Sequence, residues 1–262
     1  MHRTISGARA LITGASGGLG REIALELARR GAAVMLFARR EEKLREVAEE
    51  ISKLGGAGRA EYVVGDVTKP ADRSAALAAV QSKFGGLDIL VNNAGVGTLA
   101  KFENSDPQLP RTVFEINFFA PVELTREALP MLKAGRQPLL VLIGSVVGHR
   151  GMPQNSDYCA SKFALRGWSE SMRVELGPLG IDVLLASPGS TVTDFWDNLA
   201  AKEFEVPWSL KGALPADVTA RTIVRGIARG KREVVPGLQA RTFVNLARWF
   251  PRFTDRILKR FA

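Results

Sequence analysis

Short apolar, β-rich runs alternate with stretches of helical length along most of the chain, and this alternation restricts the fold. The runs are Ala8–Thr13, Ala33–Phe37, Glu61–Val64, Leu87–Val91, Leu139–Ile143 and Asp182–Ala186, with a last one expected at Arg232–Val235. Helical stretches lie between them at Leu19–Arg30, Glu41–Leu54, Ala71–Phe84, Arg111–Lys133, Tyr158–Leu176 and Asp217–Arg229. Strand and helix repeated in this way build a parallel sheet covered by helices on both faces. The expectation is an α/β fold, a doubly wound parallel sheet of about seven strands. The 26 glycines suit its tight strand-to-helix turns. Gly31 is expected to stop the first helix, Thr68 to cap the third ahead of Pro70, and Gly177-Pro178 to end the helix that carries Tyr158. Neither an internal repeat nor a low-complexity linker is visible. A chain of 262 residues therefore reads as one domain over 1–238, followed by a basic amphipathic extension over 239–262.

Several function classes drop out early. Cys159 is the single cysteine, so no intrachain disulfide forms, which fits a reducing compartment. It reads as a small packing residue. Met1–Gly7 leads into the first strand without a signal-peptide core. No apolar run approaches the roughly 18 residues of a spanning helix. A cytoplasmic protein is expected. The net charge is +9, and residues 241–262 carry six basic side chains against Asp255 alone. No nucleic-acid-binding motif accompanies that charge, and no metal ligand set is assigned.

The first strand runs into Thr13-Gly14-Ala15-Ser16-Gly17-Gly18-Leu19-Gly20 and then a helix. Glycines at such a turn let the backbone approach a pyrophosphate, which the helix N-terminus then holds. The spacing of Gly14, Gly18 and Gly20 departs from the G-x-G-x-x-G fingerprint. About 20 residues on, where an NAD site carries an acid for the ribose, the sequence has Ala38-Arg39-Arg40. Arginines there want an anion, and a 2′-phosphate would supply one, which argues for NADP(H). Asp66, in Gly65-Asp66-Val67, is placed to accept from an adenine amino group or to shape a turn.

Tyr158 and Lys162 stand four residues apart, on one face of a helix. A phenol beside a fixed ammonium is easier to ionise and suits proton transfer to or from an alcohol or ketone. The pair alone is common on protein surfaces.

Six features in this order resemble the short-chain dehydrogenase/reductase family in its single-domain, Rossmann-like form. They are the Thr13-to-Gly20 turn, Asn92-Asn93-Ala94-Gly95 after the fourth strand, Asn117, Ser145, Tyr158 with Lys162, and Pro188-Gly189 followed by Thr193. The resemblance runs from about Ala8 to Pro236. It implies a catalytic set of Asn117, Ser145, Tyr158 and Lys162. With the readings above, the cofactor site comprises Gly14, Ser16, Gly18, Leu19, Gly20, Arg39, Arg40, Asp66, Val67, Asn93, Ala94, Gly95, Tyr158, Lys162, Pro188, Gly189, Thr191 and Thr193. Tyr158 is then the general acid in reduction, and Lys162 lowers its pKa and binds the nicotinamide ribose. Ser145 donates to the substrate oxygen, and Asn117 holds a relay water. A homodimer or homotetramer through the Arg111–Lys133 and Tyr158–Leu176 helices is also implied. Thr191 stands where an aliphatic β-branched residue is more usual.

The substrate wall is expected after Ser145, with Met152, and after Thr193, where Phe195, Trp196, Leu199, Phe204, Val206, Pro207, Trp208 and Leu210 suggest an apolar lid. His149 is expected in an exposed loop. The leading expectation is NADPH-dependent reduction of a hydrophobic ketone, or oxidation of the alcohol. A 3-oxoacyl-thioester reductase is the alternative, and a non-catalytic nucleotide-binding protein a third reading. The basic tail, with Trp249, Phe250, Phe253 and Phe261, reads either as a C-terminal helix packed on its own domain or on a dimer mate with its charges outward, which is preferred, or as a peripheral membrane contact. Pro251 should break any helix there.

Overall fold

In the computed structural model the described residues are 2–54, 58–203 and 212–261, and among them seven parallel strands form the central sheet. The strands are β1 (Arg9–Thr13), β2 (Ala33–Ala38), β3 (Arg59–Val64), β4 (Ile89–Asn92), β5 (Leu139–Ile143), β6 (Asp182–Ala186) and β7 (Glu233–Val234). They are joined by helices α1 (Gly18–Arg29), α2 (Glu41–Ser52), α3 (Pro70–Phe84), α4 (Leu109–Phe114), α5 (Ala120–Lys133), α6 (Ser156–Leu176) and α7 (Ala216–Ala228). The spatial order is β3-β2-β1-β4-β5-β6-β7, the doubly wound Rossmann-like arrangement expected. From β1 the chain winds outward to β3, then crosses back to β4 on the other side of β1. The crevice at that reversal, beyond the carboxyl ends of the strands, is where such sheets bind ligands.

Alternating side chains of each strand serve two separate cores. Ile12, Val34, Leu36, Val91 and Val141 meet α1 and α7 through Ile23, Leu27, Ile223 and Ile227. Leu11, Met35, Phe37, Leu90 and Leu140 meet α3, α5 and α6 through Val80, Leu124 and Leu165. Each such side chain contributes about 1.5–3 kcal/mol on burial, which holds the strand ends, and hence the site, in register.

Three local expectations are corrected. The helix read over Arg111–Lys133 is α4 and α5 separated by a π turn at Glu115–Phe119. Thr68 does not cap α3; its hydroxyl donates to Asp66 Oδ1 at 2.8 Å, and Lys69 stands at the N-cap with Pro70 behind it. A third expectation, that Ser145 closes the strand before it, is also corrected: β5 ends at Ile143, as the apolar run Leu139–Ile143 indicates, and Ser145 lies two residues on, capping a short 3-10 turn at Val146–Gly148. As expected, Pro251 interrupts the tail, giving α8 (Leu238–Trp249) and α9 (Pro251–Leu258). No helix among the described residues is long and apolar enough to cross a membrane.

Candidate active site

β1 delivers the chain to Gly14, whose φ of +65° suits glycine. A Cβ there would stand 2.9 Å from the Ala94 Cα, and one on Gly20 would stand 2.3 Å from the Gly14 carbonyl oxygen. Both glycines let α1 lie against the turn. Gly17, the N-cap of α1, offers no side chain to its first N–H groups, and the first turn holds no acid. Those donors and the positive helix end make an anion site. A carboxylate of the protein is already drawn there: a Cβ on Gly17 or Gly18 would come within 3.2 Å of Asp194.

Two further strand ends close on this turn. Thr13 Oγ1 accepts from the backbone N–H groups of Asn93 and Ala94 at 2.9 Å each, and Asn93 Nδ2 donates to the Thr13 carbonyl at 2.9 Å. Asn117 is buried in the π turn. Its Oδ1 accepts from Val96 N–H at 2.9 Å, and its Nδ2 donates to the Val96 carbonyl and to Ser161 Oγ at 2.9 and 3.0 Å. The side chain braces the loop after Gly95 and has spent both its N–H groups on protein.

Arg39 and Arg40 follow β2. Arg39 is 73% exposed, with a guanidinium nitrogen 4.0 Å from Asp66. Arg40 Nε donates to Ser16 Oγ at 3.2 Å and its Nη2 lies 3.4 Å from Asp194. Asp66 forms a turn with Thr68, accepting from its N–H at 3.0 Å and its hydroxyl at 2.8 Å. Burial raises the Asp66 pKa, but the Thr68 bonds and the charges of Arg39 and Lys69 outweigh it, so the carboxyl stays below its usual range. Arg73 is a residue the sequence reading missed. Fully buried on α3, it donates to the carbonyls of Val67 and Thr68 and to Glu123 and Glu127 on α5, pinning the Asp66–Thr68 turn.

Ser145, Tyr158 and Lys162 converge beyond β5. Ser145 stands beside the Tyr158 phenol, where its hydroxyl favours the ionised form, and its Oγ accepts from Val147 N–H at 3.3 Å. Lys162 Nζ donates to the Ile143 carbonyl at 2.9 Å and lies 5.6 Å from the Tyr158 ring centroid. Burial pushes the Tyr158 phenol well above its ordinary value, and the Ser145 hydroxyl offsets this only in part. Burial also lowers Lys162 to about 8. In this structure, then, desolvation outweighs the acidifying effect expected of Lys162, because both groups sit out of water. Cys159, beside them, is buried, and burial raises its thiol to about 11, in keeping with a packing role.

The apolar wall reaches the phenol: the Phe195 ring centroid is 5.7 Å from that of Tyr158 and 5.4 Å from that of Trp196. Thr98–Leu99 pairs with Ala201–Lys202, and Thr191–Val192 with Leu214–Pro215, anchoring this segment on both sides. Phe204, Val206, Pro207, Trp208 and Leu210, read as lid residues, lie outside the described residues. His149 differs from expectation. It is buried, with Nε2 3.0 Å from Ser187 Oγ, just before Pro188. Burial first, and then the nearby Arg166, lowers its pKa, so it stays neutral.

These parts surround one cavity of about 740 Å³. Of the residues singled out in the sequence, it is lined by Gly14, Ser16, Gly18, Leu19, Arg39, Arg40, Asp66, Val67, Asn93, Ala94, Gly95, Ser145, Tyr158, Lys162, Pro188, Gly189, Thr191 and Thr193. Gly20 and Asn117 stand behind it. Leu238, Ala240 and Phe243 of α8 also line it, which no motif announces.

Comparison with known proteins identifies the family of this fold. Residues 8–203 match the short chain dehydrogenase family. The Bacillus subtilis protein named uncharacterized oxidoreductase YxnA is 34% identical over 95% of this chain and 71% of its own. Hydroxysteroid 11-beta-dehydrogenase 1-like protein B of Xenopus laevis is 37% identical over 97% of this chain and 87% of its own. An alcohol dehydrogenase of Thermococcus sibiricus, solved with 5-hydroxy-NADP, superposes with a TM-score of 0.75 at 26% identity, over 87% of this chain and 95% of that one. A short chain dehydrogenase/reductase of Burkholderia phymatum solved with NAD shares the fold, with a TM-score of 0.83 at 24% identity over 96% of each chain. The chain belongs to the short-chain dehydrogenase family and is an oxidoreductase of that family.

Proposed function

We propose that the protein is an NADPH-dependent oxidoreductase that reduces a hydrophobic ketone to a secondary alcohol, and runs in reverse, with Tyr158 as general acid. The observation that carries this reading is the single cavity that joins an uncapped helix N-terminus and two arginines at one end to Ser145, Tyr158 and an apolar wall at the other. The residues fit a phosphorylated dinucleotide. The α1 N-terminus would take its pyrophosphate, Arg39 and Arg40 the 2′-phosphate, Asp66 and Val67 the adenine, and Pro188 to Thr193 the nicotinamide end.

The bound nicotinamide supplies the hydride. The chain supplies the rest. Ser145 donates to the substrate oxygen as negative charge grows on it. Tyr158, held protonated by burial, delivers its proton to that oxygen. Lys162, cationic below about pH 8, keeps positive charge beside the phenolate that results. Asn117 holds the relay water through its backbone, since its side-chain N–H groups are already bonded. Phe195 and Trp196 exclude water and favour an apolar substrate. The hydroxysteroid dehydrogenase-like names among the relatives support a bulky alicyclic or lipid-like ketone. The test is NADPH consumption over a panel of steroid-sized, aliphatic and acyl-thioester ketones. Turnover of the bulky ketones is expected; reaction with the thioesters alone, or none at all, overturns the reading.

A further inference from the structure

Positive charge and exposed aromatic surface coincide where α8 meets α9. Trp249, Phe250 and Phe253 are 69%, 61% and 52% exposed. Adjacent exposed aromatics of this size mark a surface meant for contact. Arg248, Arg252 and Arg256 stand among them and Lys259 and Arg260 follow, all exposed. The Arg248 guanidinium lies 5.5 Å from the Trp249 ring centroid, so cation and ring are presented together. The only acid of α9, Asp255, pairs with Arg150 and leaves these cations alone. The same Arg150 donates to the Pro251 carbonyl at 3.2 Å, while Ala247, Thr254 and Leu258 are buried against the body. The helices are thus already seated through other residues, and more than half of the surface of each of the three aromatic residues stays in solvent.

We infer that this corner docks the protein on the surface of an anionic lipid bilayer. Trp249, Phe250 and Phe253 enter the boundary between headgroups and acyl chains, and the arginines and lysine meet the headgroup charge. Aromatic rings favour that boundary, and long cationic side chains can bury their stems while their charges stay in water. A second copy of this chain is the poorer occupant. A two-fold contact would set the same five cations against one another, whereas anionic lipid attracts each of them. The other end of α8 lines the cavity, one helix length away, about 18 Å at 1.5 Å per residue. Docking would therefore hold the cavity close to where apolar molecules partition. The inference rests on the corner alone and stands whatever the reaction.

Flotation of the full chain with vesicles of phosphatidylcholine, with and without phosphatidylserine, tests it. The protein should float with the anionic vesicles, less with neutral ones, and less as salt rises. The triple variant Trp249→Ser/Phe250→Ser/Phe253→Ser should lower the bound fraction about tenfold or more. Because these side chains are exposed, its circular dichroism and melting should match the wild type. Failure of the wild type to float with anionic vesicles overturns the proposal, as does equal flotation of the variant. A dimer that the triple variant converts to monomer also overturns it, by making the corner an interface between copies.

Discussion

Arg40 and Asp194 face each other at the end of the cavity beside the α1 N-terminus, with Nη2 3.4 Å from Oδ2. Asp194 lies where an anionic ligand would enter, and Arg40 is the group that ligand would want. Such an exposed pair is worth at most about 1 kcal/mol. Asp194→Asn should remove the competing charge and tighten NADPH binding about threefold, as read by fluorescence titration. Weaker binding in the variant would show that Asp194 assists the cofactor instead.

Arg39, largely exposed, carries the preference for the 2′-phosphate in our reading. Arg39→Ala should raise the dissociation constant for NADPH about tenfold or more while leaving that for NADH nearly unchanged, the loss of one charge-assisted hydrogen bond. Equal losses for both cofactors would assign Arg39 a structural role.

Tyr158→Phe keeps the ring packing against Phe195 and removes only the hydroxyl. NADPH binding should persist and kcat should fall by a factor of about 10² or more. Single-turnover absorbance with a ketone checks this, and retained turnover would remove Tyr158 from the acid role.

Lys162 gives a pH signature. In the folded protein its pKa falls to about 8, against 10.5 ordinarily, because burial disfavours the ammonium. Between those values the unfolded chain holds the proton and the folded one does not, so rising pH favours folding. The wild type should therefore gain stability relative to Lys162→Met as pH rises from about 8 towards 10.5, with no such gain below about 8. Urea melts of both across that window measure it; a flat difference would mean that Lys162 stays charged in the fold.

Gly20 is predicted to tolerate no side chain. An added Cβ would meet the Gly14 carbonyl at 2.3 Å, which forces α1 away from the turn. Gly20→Ala should cost about 1–3 kcal/mol in denaturant melts and weaken cofactor binding.

Much of this was legible in the chain because it depends on neighbours in sequence. Strand and helix alternation, the glycine turn after β1, and the four-residue step from Tyr158 to Lys162 are local periodicities, and the structure places them at the strand ends where a parallel sheet gathers its ligands. Even so, local signals misjudged Thr68, which turns towards Asp66 instead of capping α3, and the π turn that seats Asn117.

What only the tertiary structure decided involves residues far apart. Arg40 meets Asp194 over 154 positions, His149 meets Ser187 over 38, and α8 reaches back from the tail to line the cavity. The direction in which burial moves Tyr158 and Lys162 belongs here too. The sequence showed a phenol beside an ammonium, but it is the packing of α6 under the strand ends that removes water from both, and desolvation shifts the pKa of each towards its neutral form. The amino-acid sequence by itself determined the sheet, the glycine turn after β1 and the candidate set of Ser145, Tyr158 and Lys162. Their electrostatic state, their supports and the exposed aromatic corner follow from which distant surfaces the fold brings together and which it leaves in solvent.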